Sequence, residues 1–318
     1  MFAVCVFLFL LLCRTEADFR DDEEDDDEVP IEDWDSTRPT PPSKVDVLAH
    51  VLKDQVWALK RHPRPLDLVF LLDASSSVGE DNFRSELAFV AKLLADFPLS
   101  PGHGRVAVVA FSSADRIFAH VDHISSTADG DNKCSLLAAL RKIRYSGGGT
   151  YTLGAMLIAE KILRKGRRDA NRVLILVTDG FSNGGDPIPV AIRLKRAGVA
   201  IFTFGIRNGN VQELSAMASE PKNSFILNGF REFQSLAHRA LHEDLEVGEY
   251  VAYDPSACGE LCSGPEPCCS DPSECTCGIR TGQVACLCPP GYYGNGIRGD
   301  CVRKSDPTVK SGVEVRER

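Results

Sequence analysis

The sequence lacks most of the groups that hydrolases and metalloenzymes use. It has only seven histidines in 318 residues and no H-E-x-x-H motif. His238 and His242 are four residues apart in a predicted helix, but without that motif they are more typical of a helix surface than of a metal pair. The glycine-rich run before Thr150 is not followed by the lysine of a phosphate-binding loop. A phosphatase would need a second aspartate two residues after Asp73, where this chain has Ser75. We therefore expect no enzymatic activity.

Long apolar runs are also scarce. One stands in the first residues, MFAVCVFLFLLLCRTEA, from Ala3 to Cys13, and it is shorter than the roughly 20 residues that span a bilayer. Its length and the small residue Ala17 are typical of a secretory signal peptide, although the start carries no lysine or arginine. We assign residues 1–17 to this signal, with a membrane anchor as the alternative. The protein is expected to be secreted and extracellular, without a membrane span.

One segment is almost free of positive charge. Residues 18–35 hold 12 acidic residues and one basic residue, whereas the rest of the chain has 33 acidic and 35 basic residues. The net charge of -9 therefore belongs to this segment. Because like charges repel, residues 18–44, which end in the proline-rich STRPTPPSK, are predicted to be a disordered linker. The nearly neutral remainder gives no sign of nucleic-acid binding.

Cysteine is rare except near the C-terminus. Of twelve cysteines, nine fall between Cys258 and Cys301, and Cys134 stands alone in the middle. Such density behind a signal peptide indicates a disulfide scaffold. We predict a Cys-rich module over 258–301, where Cys286–Gly296 resembles part of an EGF-like module, and a disordered tail over 302–318. Since nine is odd, either one cysteine is free, Cys134 joins this region, or the chain ends before the last partner. We favour a truncated or alternatively ended chain, and we predict that Cys134 is a buried free thiol.

The remaining sequence alternates between strand-like and helix-like patterns. Residues 45–62 predict an amphipathic helix whose apolar positions have helical spacing: Val45, Leu48, Leu52, Val56 and Leu59. From Leu66 to Asp244, continuous apolar runs of strand length are separated by helical segments. Such a pattern predicts an α/β domain with a doubly wound, mostly parallel sheet covered on both faces. The run RIFAHV is expected at a sheet edge.

Three loops of this domain carry oxygen side chains. The five candidate ligands are Asp73, Ser75 and Ser77 in DASSS, Thr150 in GGGTYT, and Asp179 in VTDG. Because the carboxyl ends of parallel strands meet at one edge, these loops can lie together. Two carboxylates and three hydroxyls suit Mg²⁺, Ca²⁺ or Mn²⁺ better than zinc. With only two formal negative charges around it, such an ion would still attract an outside anion.

DASSS, GGGTYTLGA and TDG resemble the metal-ion-dependent adhesion site of von Willebrand factor type A domains. The resemblance covers residues 66–244, with the three loops in order. It implies that the serines and the threonine contact the metal and that the two aspartates bind it directly or through water. It also implies an open coordination position that accepts a carboxylate from a partner.

The resemblance implies a secreted matrix or cell-adhesion protein that binds an acidic group of an extracellular protein partner through Mg²⁺, Ca²⁺ or Mn²⁺. The partner would be a matrix protein or a cell-surface receptor. Two alternatives stay open: a structural spacer with no metal-dependent ligand, and a matrix module that assembles through the acidic segment or the Cys-rich region. We expect Asp73→Ala to abolish ion binding and to leave the fold intact.

Overall fold

The computed structural model describes residues 41–95, 97, 99, 102–125, 133–207 and 211–241, together with the short segments 274–277, 284–288, 291–293 and 301–303. The predicted signal peptide and nearly all of the predicted linker and C-terminal tail lie outside these residues. Within the described part of the chain, no helix has the length and apolar character to cross a membrane.

A six-stranded sheet forms the centre of the domain. Its strands are β1 (Leu66–Asp73), β2 (Gly104–Phe111), β3 (Ile117–Asp122), β4 (Asn171–Thr178), β5 (Val199–Ile206) and β6 (Ser224–Leu227). Their order in space is β3-β2-β1-β4-β5-β6. Only the edge strand β3 is antiparallel to its neighbour. The predicted doubly wound, mostly parallel sheet is therefore confirmed.

Seven α-helices cover this sheet in the described part of the chain. They are α1 (Lys44–Lys60), α2 (Glu80–Ala95), α3 (Lys133–Leu140), α4 (Thr152–Lys165), α5 (Ile188–Arg196), α6 (Val211–Met217) and α7 (Phe230–Ala240). One buried cluster joins α1, α2, α3 and α7 to one face of the sheet, and a second joins α4, α5 and α6 to the other face. Strand β1 shows why both faces are apolar: Leu68 and Phe70 belong to the first cluster, whereas Val69 and Leu71 belong to the second.

Helix α1 packs on the domain that follows it. It begins at a capping box, in which the Ser43 hydroxyl accepts a hydrogen bond from the Asp46 N–H and the Asp46 carboxylate accepts one from the Ser43 N–H. Leu52 and Val56 are buried in the first cluster, and Asp46 forms an ion pair with Arg239 of α7. The helix starts one residue earlier and ends two residues earlier than the predicted span 45–62.

The C-terminal segments form two small antiparallel pairs. Strand β7 (Glu274–Cys277) pairs with β8 (Val284–Leu287), and β9 (Tyr292–Tyr293) pairs with β10 (Val302–Arg303). A disulfide bond joins Cys288 to Cys301.

Cys134 in α3 corrects one prediction. The residue is buried, with 2% of its surface exposed, but it is disulfide-bonded. The predicted free thiol is therefore wrong. Because Cys134 and the nine cysteines from Cys258 to Cys301 together make an even number, the odd count no longer calls for an unpaired cysteine.

The sheet topology brings two predicted ligand loops side by side. After β1 the chain crosses to β2 on one side, and after β4 it crosses to β5 on the other, although β1 and β4 are neighbours. Ligands of open α/β sheets bind at such a reversal of strand order, beyond the carboxyl ends of the strands. Asp73 ends β1, and Asp179 follows β4 directly.

Candidate metal centre

Asp73 is fully buried between the ends of β1 and β4. Its Oδ2 atom accepts a hydrogen bond of 2.6 Å from the Thr178 hydroxyl, and its Oδ1 atom accepts one of 2.9 Å from the Ser75 N–H. Each carboxylate oxygen can accept a second interaction. The carboxylate is thus fixed in orientation and still has capacity for a cation or for a cation-bound water molecule.

Ser75, Ser77 and Asp179 form a continuous row of oxygen atoms. The Ser75 and Ser77 hydroxyls lie 3.1 Å apart, and the Ser77 hydroxyl donates a hydrogen bond of 2.7 Å to Asp179 Oδ1. Ser75 is buried, Asp179 is 8% exposed and Ser77 is exposed. The D-x-S-x-S spacing therefore turns both hydroxyls toward one point, and that point opens to solvent on the Ser77 side.

The glycine-rich loop reaches the first loop through its backbone. The Gly148 N–H donates to Ser76 Oγ and the Ser76 N–H donates to the Gly148 carbonyl, both at 2.9 Å. Gly148 has φ +105°, and a β-carbon there would lie 2.5 Å from Ser113 Oγ. Only glycine fits this position, because other residues would be strained and would clash. The pairing fixes the loop that carries Thr150 against the loop of Ser75 and Ser77.

Thr150 is held by the loop that follows β4. The Asn183 amide, in the orientation that satisfies both of its polar atoms, donates to the Thr150 carbonyl at 2.9 Å and accepts from the Thr150 N–H at 3.0 Å. The Thr150 hydroxyl lies 3.4 Å from the position that a β-carbon on Gly180 would take, so it stands directly beside the Asp179–Gly180 segment. All five predicted ligands therefore lie at the same edge of the sheet.

Four supporting residues were missed by the sequence prediction. Thr178 and Asn183 could have been found, because they are hydrogen-bonding residues within four positions of Asp179. Tyr145, which donates to the Ser75 carbonyl at 3.2 Å, lies five positions before Thr150 but belongs to no motif. Arg207 lies 28 positions after Asp179 and also belongs to no motif.

Arg207, the residue after β5, contacts the candidate site directly. Its Nη1 atom donates to the Ser77 carbonyl at 2.7 Å and to Asp179 Oδ2 at 3.2 Å. The Arg207 side chain is 51% exposed, whereas that of Asp179 is 1% exposed. One oxygen of Asp179 thus accepts from Ser77 and the other from a guanidinium at the surface.

Burial controls the protonation of Asp73. Desolvation raises the pKa of Asp73 to about 6; the hydrogen bonds from Thr178 and Ser75 lower it, and the nearby charge of Asp179 raises it again. These effects apply to the protein without a bound cation. A bound cation would favour the ionised form of Asp73.

Glu86 of α2 is a third carboxyl group beneath the site. It is fully buried, and burial, followed by the charges of Asp73 and Asp179, raises its pKa well above the usual range. The backbone N–H of Asp73 lowers this pKa slightly, but neither carboxyl oxygen has a hydrogen-bond partner of normal geometry. We expect Glu86 to be uncharged when no cation is bound, so that it adds no negative charge to the site.

The chemistry of the cluster is that of hard oxygen donors. Within the described residues, no group of three or more histidine, cysteine, aspartate or glutamate side chains is placed to hold a metal ion. The candidate centre instead combines two carboxylates with hydroxyls, a donor set that suits Mg²⁺, Ca²⁺ or Mn²⁺. Because Ser77 is exposed, a cation held here could also bind an outside ligand.

From the sequence we expected no G-x-S-x-G motif of a hydrolase nucleophile, but this spacing does occur at Gly180–Gly184. A nucleophile elbow needs a sharp turn from strand directly into helix. Here β4 ends at Thr178 and α5 begins at Ile188, so Ser182 lies in the middle of a long loop. Its hydroxyl accepts a weak hydrogen bond of 3.4 Å from the Leu153 N–H. His238 is exposed on α7, and the other half of the histidine pair, His242, lies outside the described residues.

Comparisons with known proteins agree with this fold. The model of the von Willebrand factor type A domain family matches residues 67–239. The chain is 47% identical to "Sushi, von Willebrand factor type A, EGF and pentraxin domain-containing protein 1" of Mus musculus over 271 aligned residues. The alignment covers 84% of this chain and 8% of the mouse protein. That relative is also called polydom, and the segments of this chain that resemble it are LDLVFLLDASSSVGEDNFRSEL, FSNGGDP, VAIFTFGI and ALHEDL. The chain spans only a small part of the curated relatives that it matches.

A second relative and one solved structure extend the comparison. Vitrin of Mus musculus is 34% identical over 178 residues, which is 55% of this chain and 26% of vitrin. The solved structure is proximal thread matrix protein 1 from the mussel byssus, determined with zinc in its MIDAS motif. It matches with a TM-score of 0.50 and 25% identity, over 56% of this chain and 45% of the mussel protein.

Proposed function

Because this chain belongs to the von Willebrand factor type A domain family, we propose that its candidate metal centre binds a divalent cation and, through it, an acidic group of an extracellular protein partner. The observation that carries the proposal is the meeting of three separate loops. Thr178 joins Asp73 to the end of β4, Ser77 bonds to Asp179, and Asn183 holds Thr150. A fold would not need five oxygen side chains gathered at one edge of the sheet for its own stability.

In this proposal Ser75, Ser77 and Thr150 supply hydroxyl ligands, and Asp73 and Asp179 act directly or through water. The role of the cation is that of a Lewis acid, which attracts a carboxylate at its open position. We propose Mg²⁺ as the first candidate, with Ca²⁺ or Mn²⁺ as alternatives. The zinc in the mussel protein makes Zn²⁺ a fourth ion to compare.

The wider setting is part of the same proposal. The relatives support a secreted protein of the extracellular matrix that acts by adhesion and not by catalysis. The residues around the Cys288–Cys301 disulfide bond are proposed to be an EGF-like module, and residues 1–17 a signal peptide. The spacer function is the second candidate. It is favoured by Arg207, which already occupies one oxygen of Asp179.

Calorimetric titration of the full chain with Mg²⁺, Ca²⁺, Mn²⁺ and Zn²⁺ tests the proposal. We expect saturable binding that Asp179→Asn weakens by at least about 10- to 100-fold, since even the loss of an outer-sphere partner has that effect. Asp186→Asn is the matched control, because Asp186 lies in the same loop but bonds to the Ile188 N–H. Absence of any binding would favour the spacer function.

A further inference from the structure

We propose that Arg207 is the second cationic group of the metal centre and that it selects for the partner's acidic group. In this role Arg207 weakens the interaction of Asp179 with the cation, and its own N–H groups donate hydrogen bonds to the partner's carboxylate. The inference rests on the proposed function and deepens it. It assigns recognition to a residue outside the five ligands.

The position of Arg207 is the first argument. Its guanidinium spans two of the ligand-bearing residues, with hydrogen bonds to the Ser77 carbonyl and to Asp179 Oδ2. The guanidinium carbon also lies 5.5 Å from the centre of the Phe230 ring, at a distance where cation–π attraction operates. Three contacts from different elements hold a half-exposed arginine at the rim of the centre.

The second argument is the number of donors that remain. A guanidinium carries five N–H groups in a planar fork. Both hydrogen bonds that Arg207 makes with described residues use Nη1. With its side chain 51% exposed, the remaining N–H groups of Nη2 and Nε can meet a ligand from solvent. A planar fork of this kind matches the two oxygens of a carboxylate.

The third argument is the backbone. Arg207 has φ +58°, and it is the one residue other than glycine with a positive φ in the part of the chain that the structure describes. A large side chain in this left-handed region is strained, and such strain persists where the surrounding structure or function maintains it. Glycine would remove the strain, so the local fold does not explain why arginine stands here.

The charges predict two effects of opposite sign. The guanidinium repels a divalent cation and shares a carboxylate with it, so removing its charge should strengthen cation binding. The same guanidinium attracts a partner's carboxylate, so removing it should weaken binding of that group. A residue that only stabilised the loops would move both affinities in the same direction when it was lost.

The test measures both affinities on the full chain. Mn²⁺ is titrated by calorimetry, and acetate is titrated into the Mn²⁺-loaded protein while the relaxation enhancement of water protons is followed, because bound acetate displaces water from the ion. Arg207→Gln keeps the backbone strain and removes the charge. Arg207→Lys keeps the charge and removes the fork. Arg196→Gln, on the exposed end of α5, is the matched control.

We expect Arg207→Gln to bind Mn²⁺ about 3- to 10-fold more tightly and acetate about 3- to 10-fold more weakly than the unmodified chain, the scale of one screened charge at this range. Arg207→Lys should leave Mn²⁺ affinity unchanged and lower acetate affinity, and Arg196→Gln should change neither. The inference is overturned if Arg207→Gln leaves the acetate affinity unchanged, or if it lowers the Mn²⁺ and acetate affinities together. Neither result would contradict the proposed binding of a cation at the metal centre. If the unmodified chain binds no Mn²⁺, the proposed function itself fails and this inference falls with it.

Discussion

The Thr178 hydroxyl joins β4 to Asp73 at the end of β1 by a hydrogen bond of 2.6 Å, and both side chains are buried. The bond orients the carboxylate of Asp73, the most deeply buried acidic group of the metal centre. Thr178 is therefore a residue that positions a candidate ligand. Residues that orient ligands in this way commonly contribute strongly to metal affinity.

Thr178→Val removes this hydroxyl without changing the shape of the side chain. We expect Mg²⁺ affinity to fall about 10-fold, because Asp73 loses the bond that fixes its carboxylate and favours its charged form. The free energy of unfolding should fall by about 1–3 kcal/mol, since a buried acceptor loses its partner. Calorimetry and urea denaturation measure the two effects. Thr178→Ser keeps the hydroxyl and should retain most of the affinity; an equal loss in both variants would show that packing, and not the hydrogen bond, matters.

The disulfide bond of Cys134 predicts its labelling behaviour. With the chain unfolded in urea and no reductant present, iodoacetamide should not modify Cys134, and after reduction it should modify the residue fully. Peptide mass mapping distinguishes the two states, with Cys288 and Cys301 as an internal reference because a disulfide bond joins them. Modification of Cys134 before reduction would restore the free-thiol hypothesis.

Sequence patterns predicted the elements whose signals are local. The apolar run of β1, its end in DASSS, and the helical spacing of α1 all follow from residues close together in the chain. The grouping of the five candidate ligands at one sheet edge followed from the predicted parallel sheet, in which the carboxyl ends of the strands meet. Arg207 and Cys134 show what was beyond such reasoning. Arg207 meets Asp179 only because β5 lies beside β4, and the bonding of Cys134 depends on tertiary structure that no local pattern encodes.

Proton competition at Asp73 predicts how cation binding depends on pH. In the cation-free protein, burial raises the pKa of Asp73 from 3.8 to about 6. The neutral carboxyl group therefore contributes to the stability of the fold in full below about pH 4, and this contribution to stability is lost as the pH rises through 6. A cation must displace this proton below pH 6. Mg²⁺ affinity should therefore be about 10-fold weaker at pH 5 than at pH 7, and constant above pH 7. Calorimetry at these values checks the prediction; equal affinity at pH 5 and pH 7 would mean that Asp73 is already ionised at pH 5.

Glu86→Met tests whether the buried carboxyl group of α2 destabilises the domain. Both of its oxygens lack a hydrogen-bond partner of normal geometry, and methionine replaces them with apolar atoms of similar volume. We expect the free energy of unfolding in EDTA at pH 7 to rise by about 1–3 kcal/mol, the penalty of an unsatisfied buried polar group. Glu80→Met, at an exposed position of the same helix, should change it by less than about 0.5 kcal/mol.

The pH dependence of the same comparison separates charge from packing. The pKa of Glu86 is raised well above its ordinary value of 4.5, so its stabilising contribution is complete below pH 4.5 and is lost as the pH rises toward the folded-state value. The gain from Glu86→Met should therefore shrink when urea denaturation is repeated at pH 4.5. A gain of equal size at both pH values would assign the effect to packing alone, and a loss at pH 7 would show that Glu86 has a stabilising role in the fold.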